Sequence, residues 1–245
     1  MTPSAIVWAP YCGAGPAPSE WLGRWNLDPV VVAALVLACV AVGFGARGPG
    51  RRYGLAACAV LAVSFVSPLC ALSSALFSAR TVHHLLLVAV AAPLIAWSLP
   101  RWRSGPLALA TTAQAAVFWA WHAPAAYGWA LSHDGAYWLM QASLLGAAVW
   151  FWSGVRHARA PAAVGALLAT MVQMGLLGAL ITFAGQPLYA PHLAATLAWG
   201  LSPLEDQQAA GLIMWAPAAG FYLAAALAIL GRRLGPPTSA QARTA

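Results

Sequence analysis

Two adjacent histidines, His83 and His84, stand at the head of an apolar run over 82–99. A histidine there is costly in a membrane helix unless it pairs, lines a cavity or binds something. The chain also carries His122, His133, His157 and His192. Neutral imidazole is the commonest protein metal ligand and suits copper, zinc and iron. Spacing alone does not select a metal, because neither HxxxH nor CxxxC occurs. Neighbours on a helix point about 100° apart, so at most one of His83 and His84 is expected to face the bundle centre with His122. Tyr137 and Gln141 fall at i and i+4 on one face of a later segment, with Met140 beside them. A methionine thioether suits Cu(I), whereas Met171, Met174 and Met214 read as core packing. The metal-free alternative is that the histidines, with Gln114, Gln141 and Gln173, hydrogen-bond between helices. His133 and Asp134 adjoin in a turn, where such residues cap or solvate rather than act as acid and base. No nucleophile elbow, P-loop, HExxH or dinucleotide fingerprint occurs, so a non-enzymatic protein is expected.

The elements that must position these residues are membrane helices. Of 245 residues, 62% are hydrophobic and 7% charged, against about a quarter charged in soluble domains. Long apolar runs broken by Gly, Pro and Arg clusters favour helices over short alternating barrel strands. The fold expected is all-α, a polytopic bundle of seven transmembrane helices near 29–46, 53–73, 82–99, 107–131, 136–155, 162–184 and 208–230. It divides the chain into an extracytoplasmic arm (1–27), a membrane domain (28–231) and a cytoplasmic tail (232–245). Pro124 predicts a kink or opened ladder near His122, since proline removes a donor and clashes with the carbonyl four residues back. Pro191 and HLAATLAWGL predict a short helix lying on the membrane surface, with Trp199 at the interface.

Charge orders the segments. The net charge is +7 with no lysine. Ten of the twelve arginines, among them Arg47, Arg51, Arg52, Arg101, Arg103, Arg156 and Arg159, fall on one side of this alternation. Arg24, Arg80 and all five acids (Glu20, Asp28, Asp134, Glu205 and Asp206) fall on the other. The positive-inside rule then places the N-terminus outside and the C-terminus in the cytoplasm. It also accounts for the basic charge without nucleic acid as a partner. Every histidine except His157 lies in the outer half. The first residues lack a basic region followed by an apolar one, so the helices themselves are expected to direct insertion. Cys12 and Cys70 share the outer side, where disulfides form. The Pro- and Gly-rich surroundings of Cys12 argue against that pairing. Cys39 and Cys58 read as apolar packing.

A set of short motifs, in order, resembles the CtaG family of cytochrome c oxidase assembly proteins. They are WNLDP at 25–29, SPL at 67–69, ALFSA at 75–79 running into HLLL at 84–87, and PLIAWSLP at 93–100. Further on come WHAP at 121–124, Tyr127, FWSGV at 151–155, QMGLLGALITFA at 173–184 and EDQQAAGLIMWAP at 205–217. The resemblance implies a multi-pass protein of the bacterial plasma membrane, in contact with lipid and cytochrome c oxidase subunits. It would help to place copper in a haem–copper oxidase on the outer side. His84 and His122 match family histidines. Arg80, Tyr137 and Gln141 stand where the family typically has histidine, and Cys70 where an acid is common. The candidate metal residues are therefore His84, His122, His83 and His133, supported by Tyr137, Gln141, Met140 and Cys70. Cys70 and Met140 could serve as substitute ligands. Two alternatives stand beside this reading: a haem-binding electron-transfer membrane protein, and a structural oxidase subunit without metal.

Overall fold

The computed structural model describes residues 8, 10–100 and 105–234. Arg101, Arg103, Arg243 and the tail 235–245 lie outside the described residues, as do 1–7 and 9 of the arm. The described residues are helical with irregular connections.

The first two helices are α1 (Pro29–Gly45) and α2 (Gly48–Phe65). Asp28 starts α1 by accepting from the amides of Val30 (2.8 Å) and Val31 (3.2 Å), with Pro29 preset in the first turn. Then follow α3 (Leu69–Ala75) and α4 (Phe77–Leu85). Ser67 and Pro68 bend α3 by 43° from α2. At Leu76 the backbone turns extended (ψ 130°) and separates α3 from α4.

From α4 the chain runs on through a wide π-helical turn, Leu86–Ala91, into α5 (Ala92–Ser98). Pro93 in the next turn has no amide to give, and the wide turn accommodates it. The Val88 carbonyl then accepts the Trp152 indole N–H at 2.9 Å. Next come α6 (Leu107–His122), α7 (Pro124–Ala130), α8 (Asp134–His157), α9 (Ala160–Thr182) and α10 (Pro203–Leu234).

Each of the seven expected segments has a helical counterpart, with differences. Segment four does not merely kink: Ala123 is extended (ψ 129°), so the helix ends and restarts at Pro124. Segment seven begins five residues earlier than expected, at Pro203. There Ser202 and Glu205 form a capping box, the Ser202 amide giving to the Glu205 carboxylate (2.8 Å) and the Glu205 amide to the Ser202 hydroxyl (3.2 Å). The outer connection holds no continuous surface helix but two short 3₁₀ turns, Ala190–His192 and Ala195–Trp199. Three helices, Phe77–Ser98, Ala160–Thr182 and Pro203–Arg233, are long and apolar enough to cross a membrane. Counted as one span, the bent α2–α3 pair makes a fourth among the described residues.

Helices α9 and α10 pack as the tightest hairpin. A Cβ on Gly211 would lie 2.6 Å from the Gly178 carbonyl oxygen, so the two backbones touch. At the far end of the bundle, Arg156 ties α8 to α5 by donating to the carbonyls of Ala96 (2.7 Å) and Leu99 (3.1 Å). Phe118, Tyr137, Met140, Leu144, Phe151 and Tyr222 fill the centre.

The described part of the arm is fixed to the bundle, contrary to the expectation from its composition. Cys12 is disulfide-bonded to Cys70. Gly15 passes so close to α3 that a Cβ there would meet the Ala75 Cα at 2.8 Å. The Trp199 indole donates to the Pro16 carbonyl at 3.0 Å, and the Asn26 amide to the Val66 carbonyl at 2.9 Å.

Candidate functional site

The site lies where three helix interruptions meet: the α3–α4 break, the α6–α7 break, and the outer connection. Each break strips backbone groups of helical partners, and buried groups of that kind must find others. The amides of Phe77 and Ser78 at the start of α4 give to the carboxylate of Asp206 in α10, Phe77 at 2.6 Å. The Ser78 hydroxyl gives to the same carboxylate. The His122 carbonyl at the end of α6 accepts the Tyr189 hydroxyl at 2.8 Å. The Ala75 carbonyl at the end of α3 accepts from His192 Nδ1 at 3.2 Å. That bond puts the proton on Nδ1, so Nε2 accepts the Tyr127 hydroxyl at 2.6 Å. Burial, followed by the nearby Arg80 charge, lowers the His192 pKa to about 3 against the lift from its Ala75 bond. His192 is therefore a neutral, fully used brace between α3 and α7.

Within this frame α4 presents Arg80, His83 and His84, all buried. His84 meets His122 edge to face, with ring centroids 5.4 Å apart. His83 lies 6.0 Å from His84 and packs edge-on against Phe65 at 5.1 Å. Both adjacent histidines are thus interior, where one had been expected, but only His84 reaches His122. His122 stacks on Phe118 at 4.3 Å and donates through Nδ1 to the Phe118 carbonyl at 2.7 Å. The second nitrogen, Nε2, therefore carries the lone pair, and it has no hydrogen-bond partner among the described residues. His157 makes the same bond to the carbonyl four residues back, but on the exposed surface. Neither nitrogen of His83 or His84 has a partner among the described residues.

The remaining candidates divide. Tyr137 and Met140 are fully buried beside the cluster. The Tyr137 hydroxyl lies 3.5 Å from Cys12 Sγ, and Tyr11 stacks on its ring at 5.0 Å. Gln141 is buried beside Tyr137, its amide without a close hydrogen-bond partner among the described residues, and lines a groove of about 510 Å³ between α1, α2 and α8. Cys70 is not a free thiol: its sulfur is bonded to Cys12, so it offers no thiolate. His133 is exposed and bonds Ser132 at 2.9 Å, away from the buried rings. No group of three or more His, Cys, Asp or Glu side chains able to hold a metal forms among the described residues.

Sequence reasoning passed over Asp206, Tyr189 and His192. An acid in a first helical turn reads as a dipole partner, and a loop histidine reads as solvated. No spacing links either to the breaks it repairs.

This is an all-helical, membrane-type bundle with a buried histidine pair at a junction of broken helices. The chain belongs to the cytochrome c oxidase caa3 assembly factor family (Caa3_CtaG), which it matches over residues 53–105 and 101–234. No curated protein and no solved structure matches the chain.

Proposed function

We propose that this protein assists assembly of a haem–copper cytochrome c oxidase from the outer face of a bacterial plasma membrane. It acts without catalysis, by contact with oxidase subunits, and handles copper as cargo. In this reading the chain crosses seven times, with its N-terminus outside. Family membership supports the assembly role. The arginine distribution supports the orientation, as does the Cys12–Cys70 disulfide, since such bonds persist on the oxidising side of a membrane.

One observation carries the copper reading: the His84–His122 pair. Two buried imidazoles from different helices face each other, and the Nδ1 bond of His122 turns its Nε2 lone pair loose. Orientation of a ligand ring by a backbone carbonyl is how metal-binding histidines are held. The donor set suits a copper ion of low coordination number, held by His84 and His122 with His83 adjacent. Tyr137, Gln141 and the disulfide-bonded Cys70 add no strong ligand.

The test is copper quantification on protein purified in mild detergent, paired with oxidase maturation in cells. His84→Ala and His122→Ala are expected to lower both, and His157→Ala neither. Equal losses from all three would sink the site. A b-type Soret band on the purified protein would replace this reading with haem-based electron transfer. Stable co-purification with an oxidase and no copper would leave a structural subunit.

A further inference from the structure

Arg80 is fully buried, one turn into α4. Its guanidinium lies over the Tyr137 ring, Cζ 5.4 Å from the centroid. Nε, Nη1 and Nη2 all lack a hydrogen-bond partner among the described residues. A cation–π contact recovers only part of what it costs to bury an ion. Buried charges are paired, and a guanidinium offers five donors in a planar fork and no acceptor.

The surroundings do not supply the missing charge. Arg80 feels His83, His84 and His192 electrostatically, and the Tyr127 and Tyr137 hydroxyls lie close to it. The two hydroxyl oxygens can accept from the guanidinium, but none of these groups brings a negative charge. Asp206 is the buried carboxylate of the junction, and its oxygens are taken up by Phe77 and Ser78. His83 and His84 bring further unpartnered ring nitrogens, and a neutral imidazole always carries one N–H. Native proteins rarely leave so many buried polar atoms unpaired in one place. Water could accept some of these hydrogens, but it would bring no countercharge. Burial restricts the ligand to a few atoms, and Tyr11 and Cys12 cover Tyr137 from the arm side.

We propose that Arg80, with the imidazole and hydroxyl donors around it, binds a small monovalent anion of halide or formate size. The site stands in metal-free protein and does not depend on copper. Where copper is carried, the anion removes the like-charge repulsion between Arg80 and a cation held by His84 and His122, so the two ligands bind with positive coupling.

The experiment uses the full chain in mild detergent with a chelator, at constant ionic strength. Chloride, bromide and formate are compared with gluconate, a much larger anion. Thermal stability is the readout. A saturable rise in melting temperature with the small anions and none with gluconate is expected. Arg80→Met should weaken that response at least about tenfold, and Arg80→Lys should retain it in part. A halide response without a formate response assigns a spherical ion; the reverse assigns a carboxylate. If Arg80→Met does not fold, crystals of the unaltered protein grown in bromide decide, through anomalous density beside the guanidinium. Three results overturn the proposal: identical responses to bromide and gluconate, an undiminished halide response in Arg80→Met, or no bromide at Arg80.

Discussion

Replacing Asp206 with alanine tests the view that α10 holds the start of α4 in place. The carboxylate is fully buried and accepts from the Phe77 amide at 2.6 Å, the Ser78 amide at 3.2 Å and the Ser78 hydroxyl. Loss of an N-terminal cap costs about 1–2 kcal/mol. A buried amide left unpaired costs roughly 1–3 kcal/mol more, and Phe77 is only 1% exposed. Ser78 is half-buried and can turn partly to solvent. These terms overlap, so the expected loss for Asp206→Ala is about 2–4 kcal/mol. At roughly 2–4 °C per kcal/mol for a chain of this size, the melting temperature should fall by about 4–16 °C. Asp206→Asn keeps one carbonyl oxygen for the Phe77 amide and should lose about half as much. Helical ellipticity followed against temperature in detergent gives both values. A melting temperature for Asp206→Ala within about 2 °C of the parent would refute the reasoning. Equal losses for Ala and Asn would show that charge, not hydrogen bonding, holds the junction.

Other outcomes follow from named contacts. Alkylation of the unfolded chain without reductant should label two thiols, Cys39 and Cys58, and four after reduction; four labels without reductant would exclude the Cys12–Cys70 bond. Gly211→Val should force α9 and α10 apart, because its Cβ would sit 2.6 Å from the Gly178 carbonyl oxygen; a melting temperature equal to the parent's would show that the hairpin can yield. His192 is neutral when folded, with its pKa at about 3, whereas the unfolded ring titrates near the ordinary histidine value of 6.5. Its stability contribution is present above pH 6.5 and is lost as pH falls toward 3. Thermal scans of His192→Gln should therefore show a shallower decline than the parent across that window, and matching slopes would count against a buried neutral ring.

Much of the fold was legible because long apolar runs and proline act through local rules. The helix restart at Pro124 follows from the missing amide, and α1 begins where Asp28-Pro29 announces it. The earlier start of α10 was legible too, in Ser202 and Glu205 at capping-box spacing, but hydropathy alone places the boundary later. A break between segments two and three was expected over 74–81, but not its narrowing to Leu76 alone, with α4 starting already at Phe77. Leu76 is an ordinary residue made extended by tertiary contacts, with Asp206, 130 residues onward, stabilising the new helix start. For the site, residue type and helix geometry left His83 or His84 with His122, the family resemblance singled out His84 and His122, and the structure brings those two together. The buried roles of Arg80 and His192 depend on three distant segments converging, which no periodicity encodes. The arm misled because composition reports how loose a segment is alone, whereas Cys70, Ala75 and Trp199 hold this one from elsewhere in the chain.

The cross-link between Cys12 and Cys70 also has a bearing on the order of biogenesis. Its two sulfurs are 58 residues apart, with α1 and α2 between them. With the arm outside, the bond cannot close until that helical hairpin has been threaded into the bilayer. Tyr11 and Cys12 rest on Tyr137, which leaves the ribosome later still. The arm therefore settles over the histidine junction only after α8 has arrived. In the orientation proposed above, the disulfide ties the arm to α3, and the contacts with Tyr137 then complete the cover. A cell lacking thiol oxidants would accumulate protein that is fully inserted yet still uncovered, a maturation intermediate distinguished by two extra reactive thiols.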